Sequence, residues 1–268
     1  MKNAFISLVA LFVIAVSSQA YAAGGTIDQV EGPEGGWQHD GFFGTFDRAA
    51  AQRGLQVYRE VCASCHSLRF VSFRTLTGIG FTEPEIKAIA AEYTFMADPN
   101  EEGEVLERDG LPFDYFPPVY ENKEAAAASN GGAVPPDLSL MTKKRPGGPD
   151  YLYSLLTHYR EPTAEDMAAL EAANISLGDT SYFNPIMSGN QIAMAPPLDE
   201  GLVEYAEGQP EATVEQMARD VTVFLHWAAE PKLEERKKLG FQVMIYLIIF
   251  CGIMFFAYRR IAKRVLGH

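Results

Sequence analysis

Thiols and positive charge are both scarce in this chain. Three cysteines occur among 268 residues, and one of them, Cys251, lies in an apolar run near the carboxyl end. The other two cannot build a disulfide framework, and a four-thiolate zinc site is excluded. Lys and Arg number 22 against 35 Asp and Glu. Between residues 23 and 231 the imbalance is steeper, 13 basic against 33 acidic, a net of −20. Such a surface repels nucleic acid and anionic headgroups, and at low salt it steers a basic soluble partner toward itself. Internal repeats are missing, and no period-two alternation is long enough to read as a strand, which argues against solenoids and sheet-built folds.

Long apolar runs are confined to the two ends. Ala4 to Val16 is too short to span a bilayer, and it leads through small and polar residues to Ala20-Tyr21-Ala22. That is the pattern of a secretory signal, so residues 1–22 read as a leader removed on export. The second run, Phe241 to Tyr258, has 18 residues without a charge. At about 1.5 Å per residue it covers roughly 27 Å, close to the ~30 Å hydrocarbon core of a membrane. Arg259, Arg260, Lys263 and Arg264 follow without an acid, as cytoplasmic flanks do, whereas Glu234 and Glu235 dilute the charge on the other side. The expected layout is therefore an exported domain over 23–238, a transmembrane anchor over 239–260 and a cytoplasmic tail over 261–268.

Between leader and anchor the signals are helical and loop-rich. Asp47 can cap a helix over 47–62, with Ala51, Leu55, Tyr58 and Cys62 near one face. Gly54 sits inside it at a propensity cost of about 1 kcal/mol, which makes sense where another helix crosses closely. Further helices are expected over 83–92, 125–128 and 151–161, the last turning Leu152, Leu155, Leu156 and Tyr159 inward. The acidic run from Asp98 to Glu107 reads as loop, and "SYFNPIMSGNQIAMAPPL" as a long ordered loop. Thr213 and Gln216 form a capping box ahead of an apolar stripe of Met217, Val221, Phe224, Leu225 and Ala228. The expectation is a mainly α fold with one C-terminal transmembrane helix.

The chemistry concentrates in "VCASCHSLRF", where Cys62 and Cys65 stand three apart with His66 directly behind. A dithiol oxidoreductase would place Cys-x-x-Cys among alternating strands and helices, and none are visible. Zinc would need a fourth ligand from His39, His158 or His226, and the usual second ligand pair is missing. Covalent haem uses all three residues: two thiols at i and i+3 meet the two vinyl groups, and the histidine meets the iron. Export supplies the compartment that attachment requires. The sixth iron position is either open, as in a haem enzyme that binds gases or acts on peroxide, or filled by a thioether, for which the long loop offers Met187 and Met194. Met194 is favoured because "AMAPP" surrounds it with small residues and stiffening prolines. Met217 reads as core, and Met141 and Met167 lie in polar stretches.

The segments "QRGLQVYREVCASCHSLRF", "DYFP", "NGGAVPPDLS", "YLYSLLT", "YFNP", "AMAPPL" and "ATVEQMARDVTVFLHWAAEPKLEERKKLG" follow one another across nearly the whole mature chain. In that order they resemble the cytochrome c1 family, membrane-anchored haem subunits of quinol:cytochrome c oxidoreductase, the cytochrome bc1 complex. The resemblance implies a c-type cytochrome domain with long loop insertions and one haem c. It implies thioether bonds at Cys62 and Cys65, with His66 and Met194 as axial ligands. It also lays Pro135 and Pro136 of "PPDLS" against the haem, where a carbonyl can accept the Nδ1–H of His66. The run "EAAAASNGG" ahead of them holds no arginine, leaving the partner of the porphyrin carboxylates unassigned. Implied partners are cytochrome b, a Rieske iron-sulfur protein as electron donor and a basic cytochrome c as acceptor. The implied location is a bacterial inner membrane with the haem domain in the periplasm and no separate catalytic site. A free-standing anchored cytochrome c shuttle is the alternative, disfavoured by the length between His66 and Met194. His39 is expected at the surface or at a subunit contact, and His226 and Trp227 at the membrane end of the last soluble helix.

Overall fold

Asp47 adopts extended backbone and its carboxylate accepts the Ala50 amide at 3.0 Å, which starts the first helix, α1, Arg48–Glu60. The computed structural model describes residues 30–178 and 180–267; the leader expected over 1–22 lies outside the described residues. After α1 come α2, Glu83–Ala91, and a small antiparallel ribbon of β1, Thr94–Met96, and β2, Glu107–Asp109. Then follow α3, Lys123–Ser129; α4, Met141–Lys144; α5, Gly148–Thr157; and α6, Ala164–Ala172. A second ribbon pairs β3, Tyr182–Phe183, with β4, Gln191–Ile192. Two long helices close the chain, α7, Val214–Ala229, and α8, Leu233–Leu266. The fold is mainly helical with little strand, as expected.

The core forms where α1 crosses α7. Ala51, Leu55, Val57 and Tyr58 from α1 meet Met217, Val221, Phe224 and Leu225 from α7, all at most 2 % exposed. Gly54 lies at the crossing. A Cβ there would overlap the Asp220 carbonyl oxygen and stand 2.7 Å from Phe224 Cβ, so only glycine lets the two backbones come this close. The neighbouring Arg53 locks the pair: its Nε and Nη2 donate to the fully buried Asp220 carboxylate at 2.8 and 2.9 Å. At the start of α7 only half of the expected capping box forms. Thr213 Oγ1 accepts the Gln216 amide at 3.2 Å, while the Gln216 side chain turns inward to donate to Asp220 at 3.0 Å.

Helix ends depart from the pattern reading where local hydrogen bonds compete. α1 stops at Glu60, and residues Cys62–Ser64 tighten into a 3₁₀ turn. α5 begins earlier than expected, with Pro149 in its first turn, and ends at Thr157, leaving Tyr159 outside it. Met141 falls on α4 and is buried at 5 % exposure, so it is core and not part of a polar stretch. α6 is set by a box the pattern reading passed over, Thr163 with Asp166.

His39 is a correction. It is 3 % exposed, wedged between Trp37, Phe46 and His226, with ring centroids 5.4, 5.3 and 4.4 Å away. The arm before α1 folds over the end of α7 and needs a ring to fill that corner. Burial, then the charge of Lys237, holds the His39 imidazole down at about 4. Burial, then His39 itself, does the same for His226, also about 4 against the acidic pull of Glu230 and Asp40. Both rings are therefore neutral in the fold and protonate near 6.5 once unfolded. The unfolded chain binds more protons below that value, so stability present above pH 6.5 is lost as pH falls toward 4. Each ring should account for a drop on the order of 3 kcal/mol, from a shift of this size at ~1.4 kcal/mol per unit. Unfolding midpoints measured from pH 7.5 down to 4.5 check this; His226→Phe should remove about half of the decline.

Candidate haem site

The turn that follows α1 gathers the three motif residues. The Cys62 carbonyl accepts the amides of Cys65 at 3.1 Å and His66 at 2.8 Å, so both thiols and the imidazole leave from a single turn. Both cysteines are free thiols and half-buried. Burial, followed by the nearby Cys65, pushes the Cys62 thiol up to about 12. A redox dithiol or a thiolate metal ligand needs the opposite shift. Among the described residues no group of three or more His, Cys, Asp or Glu is arranged to hold a metal ion.

His66 is oriented by a strap from 70 residues further on. Its Nδ1 lies 2.8 Å from the Pro136 carbonyl. A carbonyl only accepts, so Nδ1 carries the proton and Nε2 is left with its lone pair. Burial lowers the imidazole pKa, partly offset by the Pro136 carbonyl and Asp137, which keeps the ring in the neutral form that ligates iron. The strap is sewn to the motif along its length. Leu138 N donates to Ser67 O at 2.9 Å, Phe70 N to Ser139 Oγ at 3.1 Å, and Arg69 N to Asp137 Oδ2 at 3.0 Å. Pro135, half-buried, and Pro136 fix the backbone φ where the carbonyl must point. From beneath, the Tyr58 hydroxyl, buried on α1, donates to the His66 carbonyl at 3.0 Å.

The two loop methionines are distinguished by their surroundings. Met187 Sδ accepts the Tyr151 hydroxyl at 3.4 Å, which occupies its sulfur. Met194 is half-buried against the core, and its backbone, not its sulfur, is held: Tyr159 Oη donates to the Met194 carbonyl at 3.1 Å. The loop between β3 and α7 thus fixes Met194 in place and leaves its thioether uncommitted. Met217 is fully buried core as expected, while Met96 and Met167 are exposed.

One residue escaped the pattern reading. Arg145, just after α4, has its Nε buried with no acceptor among the described residues, and its guanidinium lies over the Tyr151 ring at 5.9 Å. A buried cationic N–H without a partner is costly and calls for an anion. A porphyrin carboxylate is such an anion, so the donor set of thiols, neutral imidazole, free thioether and a guanidinium with an unpartnered Nε–H fits a haem. Its signal in sequence was weak, a lone arginine in "TKKRPGG".

Residues 37–265 match the Cytochrome C1 family. Cytochrome c1 of Rhodospirillum rubrum is 39% identical over 260 residues, covering 94% of this chain and 93% of that one. The mitochondrial cytochrome c1 1 haem protein of Arabidopsis thaliana is 46% identical over 237 residues, 88% of this chain and 74% of its own. A Bradyrhizobium diazoefficiens protein named cytochrome b/c1 is 43% identical over 242 residues, which make up 85% of this chain and 35% of that longer one. With a helical head, one long apolar C-terminal helix and these relatives along most of its length, the chain belongs to the cytochrome c1 family.

Proposed function

We propose that this chain is the membrane-anchored electron carrier of a quinol:cytochrome c oxidoreductase. Covalent haem c and electron transfer come with the family; the assignment of residues is the proposal. Cys62 and Cys65 form the thioether links, His66 Nε2 and Met194 Sδ hold the iron, and one haem is bound. The observation that carries the reading is the His66–Pro136 contact on the Cys62–Cys65 turn, which sets the imidazole's tautomer and direction together. The haem supplies a one-electron change at iron. The chain's own part is to keep the ring in place, exclude water with the strap and the Met194 loop, and offer Arg145 to a propionate.

The donor is a Rieske iron-sulfur protein, the membrane neighbour is cytochrome b, and the acceptor is a basic cytochrome c drawn by the acidic head. The joined name of the Bradyrhizobium relative supports a partnership with cytochrome b. α8 supports a single-pass anchor: its apolar window has mean hydropathy 2.3 and none of it is buried by the head. With the Arg259 to Arg264 cluster inside, residues 23–238 stand in the periplasm of a bacterial inner membrane and 261–268 in the cytoplasm.

Purification in mild detergent tests the reading. One haem per chain by pyridine haemochrome, a reduced spectrum indifferent to carbon monoxide, and co-purifying cytochrome b and Rieske protein are expected. A colourless protein, or one that binds the gas, would end it; a coloured protein that travels alone would favour the shuttle. Arg145→Gln should lower the midpoint potential, because losing a half-buried positive charge favours the more positive oxidised iron. The fall should be on the order of 60 mV, one tenfold step in a one-electron equilibrium, read by redox titration.

A further inference from the structure

The arm ahead of α1 makes a tight turn at residues 41–44, Gly-Phe-Phe-Gly, with Gly41 in the left-handed region at φ 67°. Phe42 and Phe43 are 51% and 78% exposed, yet they are not loose. Their ring centroids are 5.0 Å apart and lie 5.8 and 5.7 Å from that of Phe241. Phe241 is the first residue of the apolar run of α8. The turn is bound to the same helix one turn earlier, where Lys237 Nζ donates to the His39 carbonyl at 2.5 Å and to the Gly44 carbonyl at 3.2 Å. Another turn back, Glu234 accepts the Phe46 amide at 2.9 Å and pairs with Arg48 at 3.0 Å. Glu234, Lys237 and Phe241 share one face of α8, so the turn rides on the helix down to the point where its apolar stretch begins.

We propose that Phe42 and Phe43 enter the leaflet on the head-domain side of the bilayer, making residues 41–44 a second membrane contact of the head. This rests on α8 being a membrane span. The 18 residues from Phe241 to Tyr258 cover about the hydrocarbon thickness, so Phe241 sits where that region begins. Rings in contact with it lie within 6 Å of that level. Phe241, itself 42% exposed, makes the two phenyls continuous with the lipid-facing surface of the span. The tip carries no charge, and the ammonium of Lys237 stands behind it at headgroup height, the order of groups that interfacial segments show. Held in water, two such rings beside an apolar helix would form an exposed hydrophobic patch; lipid removes it. A single helix leaves a head domain free to rotate about the helix axis. A second contact off that axis fixes the azimuth and tilt at which the head faces its redox partners.

Nitroxide labels placed in the holoprotein test this, in a Cys251→Ala background and in phosphatidylcholine vesicles. Cysteine is introduced for Phe43, for Phe42, for Ile248 in mid-span and for Leu106 on the head, each exposed. Retained haem absorbance shows that a labelled head is folded. Power saturation should give labels 42 and 43 an oxygen-to-nickel-chelate collision ratio several-fold above that at 106 and nearer to that at 248. Labels 42 and 43 matching 106 would overturn the proposal, and so would labels shielded from both reagents, which would mean a protein contact. A label at 248 that prefers the nickel chelate would instead overturn the span.

Discussion

Met194→Ala is expected to convert a closed haem protein into an open one. With the thioether gone, the midpoint potential should fall by on the order of 0.2 V, about a quarter of the ~0.8 V range that axial ligands span. A neutral sulfur ligand favours the reduced iron, and its replacement by water or hydroxide favours the oxidised state. The reduced variant should also bind carbon monoxide, which the parent should not. The substitution acts at one atom set. The Met194 carbonyl stays bonded to Tyr159 Oη whatever side chain the residue carries, and Ala193 and Ala195 already show that the loop accepts methyl groups. Met187→Ala is the control. Its sulfur is engaged by Tyr151, so its loss should leave the potential within about 30 mV, half of a tenfold step. An unchanged Met194→Ala would hand the sixth position to another side chain.

What could be read in the sequence divides along a physical line. The α1 cap at Asp47, the α7 stripe and the glycine at a helix crossing were all legible, because caps, 3.6-residue periodicity and an interior glycine are local signals. The Cys62 to His66 motif was legible for the same reason. Its strap was read only through resemblance, since a carbonyl 70 residues away leaves no mark in spacing. The preference for Met194 over Met187 came from its small neighbours and from resemblance; that Met187 Sδ is already engaged by Tyr151, like the unpartnered Nε of Arg145, is a property of the assembled fold. His39 was misplaced because a polar ring beside Asp40 and Gly41 looks like surface until the end of α7 is laid over it. The strands were missed because each is two or three residues long, below the length at which alternation is visible.

Gly54→Ala should destabilise the head by about 3–5 kcal/mol, against the sign that helix propensity gives. On propensity alone the change gains about 1 kcal/mol. Packing reverses it, because the added methyl would meet the Asp220 backbone, with its carbonyl carbon at 2.6 Å, as well as Phe224 Cβ. Neither is the far end of a flexible side chain, so the helices must part. Parting them costs overpacking strain of roughly 1–3 kcal/mol. It also loosens the Arg53–Asp220 pair, whose carboxylate is fully buried and whose disruption is worth about 3 kcal/mol or more. Chemical unfolding in detergent, followed by the helical signal, measures the loss. Ala88→Gly on the exposed face of α2 serves as the reference for propensity, with an expected loss of about 1 kcal/mol. The consequence reaches the site through the chain itself. Cys62 begins its turn two residues after α1 ends, and Tyr58 on α1 holds the His66 carbonyl. A displaced α1 should therefore shift the haem spectrum as well as the unfolding midpoint, and a variant that unfolded earlier with an unaltered spectrum would show that the crossing and the haem turn are mechanically separate.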